Sequence, residues 1–180
     1  IECEIVHHTR DTTTRLAPAD LLGIHPMGKS PLLEDGEIVI AETGAITEYL
    51  LGKFDTDFRL HPRASSPDFP RYLEWLHSAE GAVFLPGLFG FYLMTAGLTD
   101  HPMAAIMQAE RDKAMDHIEA HLASHAYFAG DKFSAADCLM GFQMQSSEAM
   151  GAFATRPASQ AWLDKVRERP AYQRMIAIGI

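Results

Sequence analysis

Apolar residues recur along this chain with two different periods, and the change falls near its middle. Up to about residue 58 short strand-like runs mix with short helices, and from residue 66 onward apolar positions return every three or four residues over long stretches. The joint, residues 55–70, carries Pro62, Ser65, Ser66, Pro67 and Pro70 and reads as a linker followed by a helix start. Two domains are therefore expected, over 1–58 and 66–180.

In the first, residues 1–10 read as a strand. Residues 32–34 and 37–40 flank Asp35-Gly36, a pair that accepts the positive φ angles of a two-residue hairpin turn. Ile46, Tyr49, Leu50 and Leu51 predict a short amphipathic helix over 43–53. In the second, a helix is expected over 67–94, bent at Pro86. Another is expected over 102–124, with a stripe that includes Met103, Ile106, Met107, Met115, Ile118 and Leu122. Helices over 134–150, 158–168 and from Pro170 follow. Ser134 and Asp137 stand at capping-box spacing, with Asp in place of the usual Glu. Phe133 and Cys138 hold the staple positions around that box, where a residue as small as Cys predicts weaker helix nucleation. The aromatic-rich run from Trp75 to Met94 reads as core.

Composition narrows the possibilities. With 47% hydrophobic and 22% charged residues over 180 positions, the chain can fill a core, which excludes disordered, collagenous and disulfide-scaffold classes. Asp and Glu outnumber Lys and Arg by 24 to 15, a net charge of −9 with no basic patch, so neither nucleic acid nor a membrane is expected as partner. Cys3 and Cys138 lie far apart without zinc spacing, as suits a reducing cytoplasm. The longest apolar stretch, 82–96, is interrupted by Pro86, Gly87 and Gly90 and is too short to span a bilayer. A soluble protein with no targeting segment is expected, and its opening, without an initiator Met, reads as the middle of a domain.

Residues 23–30, Gly-Ile-His-Pro-Met-Gly-Lys-Ser, match the P-loop expression letter for letter. The context fails. A P-loop follows a buried strand and opens a helix, whereas here Pro31 biases Ser30 away from helical angles and a strand comes next. A cis Ser30-Pro31 bond would instead turn the Ser30 amide and carbonyl outward at a sheet edge, where an extended peptide can dock.

Three motifs in order carry a family resemblance: 25–36 (His-Pro-Met-Gly-Lys-Ser-Pro-Leu-Leu-Glu-Asp-Gly), 40–50 with its Glu42-Thr43 pair, and 127–137 with the capping box. The chain resembles the cytosolic glutathione transferases over nearly its whole length, and residues 14–18 and 28–31 look most like bacterial and fungal members. The resemblance implies an α+β two-domain fold: a thioredoxin-like N-terminal domain, lacking its first strand and helix here, then an all-α C-terminal helical domain. It implies a cytoplasmic homodimer, its cleft beside the two-fold axis, that conjugates glutathione to apolar electrophiles in detoxification, with glutathione as co-substrate and no metal. Carried over by residue, the Ser30 backbone would pair with the cysteinyl unit through cis Pro31, and Lys29 would meet the glycyl carboxylate. Glu42 would take the γ-glutamyl ammonium, and Thr43, at a helix N-terminus, the γ-glutamyl carboxylate. The stretch after Pro86 would line the apolar acceptor pocket.

The family activates the glutathione thiol with a Ser, Tyr or Cys just after the first strand, and this chain starts after that point, so no residue of it is assigned the catalytic role. Cys3, in the expected strand, is far from the thiol position, and the neighbours His7 and His8 would point to opposite faces of that strand. His117, His121 and His125 share one helix face at a spacing that can bind zinc, but no Cys or carboxylate completes the set, and a polar face is the simpler reading. Two alternatives stay open: a noncatalytic glutathione-binding or scaffold protein on the same fold, and a glutathione-dependent thiol or peroxide reductase.

Overall fold

The computed structural model describes residues 1–13 and 16–179, so Thr14 and Arg15 of the 14–18 segment lie outside the described residues. The chain forms two compact units, Ile1–Arg59 and Leu60–Ile180.

In the first unit, α1 (Leu21–Ile24) buries Leu21. Then β1 (Leu32–Asp35) and β2 (Ile38–Ala41) pair antiparallel, and α2 (Thr43–Phe54) follows directly and buries Leu51. The hairpin turn falls one residue later than expected, at Gly36-Glu37, because Asp35 stays in the ladder opposite Ile38. Its carboxylate accepts a hydrogen bond from the Tyr49 hydroxyl at 2.8 Å and pairs with Lys53, which ties the hairpin to α2. Gly36, at φ 64°, is then the first central residue, where a type II′ turn requires glycine. The expected strand over 1–10 does not form. A strand needs a ladder partner, and among the described residues β1 and β2 pair only with each other.

The second unit is helical: α3 (Phe69–Ser78), a π-helical turn (Ala79–Phe84), α4 (Leu85–Thr95), α5 (Pro102–Leu122), α6 (Ala135–Ala149), α7 (Pro157–Arg167) and α8 (Pro170–Ala177). The helix expected over 67–94 is thus interrupted just before Pro86. Proline has no N–H to give and its ring crowds the carbonyl four residues back, and the widened turn accommodates both. Trp75, Phe128 and Trp162 meet in the core with ring centroids 4.9 and 5.0 Å apart, among Leu76, Met140 and Leu163. The α5 stripe is buried only in its second half, at Met115, Ile118 and Leu122, while Met103 and Ile106 are exposed.

The aromatic run is likewise only partly core. Trp75 and Leu76 are buried, but Leu85, Phe89, Tyr92 and Met94 are exposed, because α4 is apolar around its whole circumference and its neighbours cover one side. The His117–His121 face is not a plain polar one either. His117 stacks on Trp75 at 4.9 Å, and His121 lies against both Trp75 and Phe128. Around the α6 box, Phe133 meets the Tyr127 ring edge-on and lies 3.5 Å below the Arg169 guanidinium, and Cys138 is exposed. Among the described residues no helix is long and apolar enough to cross a membrane.

Candidate functional site

The geometry of the first unit converges on one end of the hairpin. Leu32 faces Ala41 in the register, so the next residues outward, Pro31 and Glu42, leave the sheet at the same end. Ser30-Pro31 on one side and Glu42-Thr43 on the other thereby come together without any long-range folding requirement. The Ser30-Pro31 peptide bond is cis. Ser30 is exposed, and among the described residues neither its amide nor its carbonyl enters a backbone hydrogen bond.

Local sequence fixes the approach to Ser30. Gly28 sits at φ 54°, a left-handed conformation that favours glycine, and a Cβ there would lie 2.6 Å from the exposed Leu22 side chain, which would have to move aside. The P-loop reading fails on the same stretch: Gly23 lies inside the four-residue α1, and Ser30 leads into β1, not a helix. Lys29 is exposed beside Ser30.

On the other strand, Glu42 is exposed at φ 76° and ψ 120°, a conformation L-residues rarely adopt. It turns the chain from β2 straight into α2, whose first residue is the half-buried Thr43. No side chain caps α2, so its leading amides and the positive end of its dipole face this same corner. Among the described residues the Thr43 hydroxyl has no hydrogen-bond partner, and its carbonyl accepts from Thr47 Oγ1 at 2.8 Å. The outward backbone edge of Ser30, Glu42 and the uncapped start of α2 thus lie at one end of the hairpin, with Lys29 one residue before Ser30.

Within the second unit, two carboxylates organise the helix starts. Asp137, fully buried, accepts from Ser134 N–H and Ser134 hydroxyl, each at 2.9 Å, completing the expected capping box. It also accepts from Phe128 N–H at 3.0 Å and from the Trp162 indole at 3.1 Å, partners that spacing alone did not reveal. Burial pushes its carboxyl upward, against the pull of these four donors. Glu119 of α5 caps α7, accepting from the amides of Ala158 and Ser159 at 2.8 Å each and from the Ser159 hydroxyl at 2.7 Å. Cys3 is exposed in the irregular segment 1–13. Among the described residues no cluster of three or more His, Cys, Asp or Glu is placed to hold a metal, His117, His121 and His125 included.

A small thioredoxin-like hairpin unit joined to an all-helical unit, with this corner on the first, defines the class of a glutathione transferase fold. The comparisons agree at the level of sequence: residues 1–52 match the family model of the glutathione S-transferase N-terminal domain, and residues 82–170 that of the C-terminal domain. The chain belongs to the glutathione S-transferase family. It is 32% identical to glutathione S-transferase 3 of Zea mays, over 98% of this chain and 83% of that protein. Among solved structures, a glutathione S-transferase from Actinobacillus pleuropneumoniae superposes with TM-score 0.84 at 28% identity, covering 93% of this chain and 76% of that one. A sphingomonad glutathione S-transferase solved in complex with glutathione superposes with TM-score 0.73 at 25% identity, covering 92% and 82%.

Proposed function

We propose that this protein binds glutathione at the open end of the hairpin and transfers its sulfur to an apolar electrophile. The observation that carries this reading is the register that brings Ser30-Pro31 and Glu42-Thr43 to one end of the sheet in a chain of this family. The Ser30 backbone pairs with the cysteinyl unit as an added strand would. Lys29 meets the glycyl carboxylate and Glu42 the γ-glutamyl ammonium. The Thr43 hydroxyl and the first α2 amides take the γ-glutamyl carboxylate, where the dipole favours an anion. Held at both ends, the tripeptide has its central thiol oriented. The thiolate sulfur attacks an electrophilic carbon and a C–S bond forms: on an aromatic halide the halide leaves with its electron pair, and on an enone the π pair moves to the carbonyl oxygen and the enolate takes a proton from water. No described residue is assigned to ionise the thiol.

The acceptor is placed on the apolar surface that follows Pro86. The exposed Leu85, Phe89, Tyr92 and Met94 of α4 support a homodimer in which a second copy covers part of this helix. A cytoplasmic place fits two free cysteines, and a detoxifying role fits the transfer of sulfur to electrophiles.

The test is to incubate the protein with glutathione and a panel of aromatic halides and enones, following thiol loss and the thioether by mass spectrometry. Protein-dependent thioether is expected. Glutathione that binds but is never consumed would favour the noncatalytic alternative, and glutathione oxidised with a peroxide instead would favour the reductase.

A further inference from the structure

The hairpin and α2 are fastened together at the end opposite the candidate site. Asp35 closes β1 opposite Ile38, three residues and about 10 Å along the strand from Leu32, where the corner lies. One oxygen of its carboxylate, Oδ2, accepts both from the Tyr49 hydroxyl, at 2.8 Å, and from the Lys53 ammonium. That ammonium also stands 5.6 Å from the centre of the Tyr49 ring. At the helical rise, Tyr49 and Lys53 lie about 9 and 15 Å beyond Thr43 along α2. Lys53, then Tyr49, hold the Asp35 carboxyl below its ordinary 3.8, so the clasp is charged at neutral pH.

Local forces fix the direction of α2 poorly. Leu51 is its only buried residue. Gly44 and Gly52 lower its intrinsic helicity, and an added Cβ at either would touch nothing within 4 Å, so no close approach calls for glycine. The chain enters α2 through Glu42 at φ 76° and ψ 120°, outside the regions ordinary for an L-residue, and relaxation of that residue would redirect the helix start. Such a turn persists only where its surroundings over-determine it, and those surroundings include the clasp at the far end of α2. The Asp35 and Lys53 side chains are 33% and 44% exposed, and pairs of this kind contribute little to global stability. Loss of the clasp is therefore felt in the placement of α2 rather than in melting.

We propose that Asp35, acting through Tyr49 and Lys53, is a positioning residue that holds α2 against the hairpin so that Glu42, Thr43 and the first α2 amides stay at the candidate site. This rests on the glutathione reading, and within it recognition of the γ-glutamyl end depends on a carboxylate at the opposite end of the hairpin. The glycyl and cysteinyl ends, met by Lys29 and Ser30 on the other segment, do not depend on it.

Two measurements on the whole chain test this. Without glutathione, amide hydrogen exchange reads the Ile46 N–H, which donates to the Glu42 carbonyl at 2.9 Å where α2 begins. Asp35→Ala should speed that exchange about fivefold or more while α6 amides keep the parent rate, and Asp35→Asn, which retains an acceptor oxygen, should speed it less. NMR titration then compares glutathione, its glycyl ethyl ester, and an analogue in which a plain butanoyl chain, without ammonium or carboxylate, replaces the γ-glutamyl unit. Asp35→Ala should weaken the first two by a similar factor, roughly fivefold, and leave the butanoyl analogue within about twofold, because only the first two use Glu42 and the α2 start. Equal weakening of all three ligands, unchanged affinity for glutathione, or Ile46 exchange that stays at the parent rate or rises only as much as that of α6 would overturn the positioning role. If Asp35→Ala does not fold, the double variant Tyr49→Phe, Lys53→Met leaves the hairpin intact and carries the same tests with the same outcomes. A parent that binds no glutathione rejects the glutathione reading, and exchange at Ile46 then decides alone whether Asp35 holds the start of α2.

Discussion

The indole N–H of Trp162 donates to the Asp137 carboxylate at 3.1 Å, joining α7 to the first turn of α6 in a site closed to water. One carboxylate therefore serves as helix cap, loop anchor for Phe128 and tertiary clasp at once. Replacing it by Ala strands several buried donors, each worth about 1–3 kcal/mol, so Asp137→Ala should cost at least about 3 kcal/mol. Asp137→Asn, which keeps one acceptor oxygen, should cost less, and Trp162→Phe about 1–2 kcal/mol. Urea unfolding of the three variants checks the order, and an Asp137→Ala variant as stable as the parent would refute it.

Glu119 performs a similar service across the helix pair α5 and α7. Burial raises its carboxyl pKa, but the donors from Ala158 and Ser159 outweigh that and leave it below its ordinary 4.5. A depressed carboxylate stabilises the fold in full above its unfolded value and loses that contribution as pH falls through the folded one. Glu119→Gln should cost about 1–2 kcal/mol at neutral pH and make the loss of stability on acidification shallower, as measured by melting between pH 7 and the acid limb.

His121 titrates in the opposite charge sense. Partial burial against Trp75, and then the neighbouring His125, lower its pKa from 6.5. The neutral ring is the one the fold accommodates, so its contribution is full above 6.5 and is lost as pH falls through the folded-state value. His121→Phe keeps a ring in the stack and removes the proton. Its melting temperature should change less than the parent's between about pH 7 and 5. Parallel curves would rule this role out.

Glu42 holds a backbone conformation that glycine adopts freely. Strain of this kind costs about 1–3 kcal/mol and persists where it positions a functional group, while glycine loses about 0.5–1 kcal/mol of chain entropy. Glu42→Gly should therefore raise stability by about 1 kcal/mol yet weaken glutathione binding through loss of the carboxylate. Calorimetry for both quantities tests it, and a variant that is less stable than the parent, or that binds glutathione as tightly, would contradict the assignment.

Much of this was legible before any coordinates. The hairpin followed from turn chemistry at Asp35-Gly36, and the α6 start from Ser134 and Asp137, because both signals are local. The turn shifted by one residue because Tyr49 and Lys53, on a later helix, engage Asp35. Spacing could not show that Trp162 reaches Asp137 from 25 residues away, nor that α4 would leave Phe89 and Tyr92 uncovered. At the candidate site, Lys29 to Pro31 and Glu42-Thr43 were marked by motif, and the register explains how two segments eleven residues apart share a corner.

The central claim is that glutathione occupies the corner formed by Lys29, Ser30, Pro31, Glu42 and Thr43, and isothermal titration tests it directly. The unaltered protein should bind one glutathione per chain. Thr43→Ala and Lys29→Ala should each weaken that binding by about 1–3 kcal/mol, one charge-assisted hydrogen bond apiece, without a change in melting temperature. No heat of binding, or equal affinity in all three proteins, would contradict it.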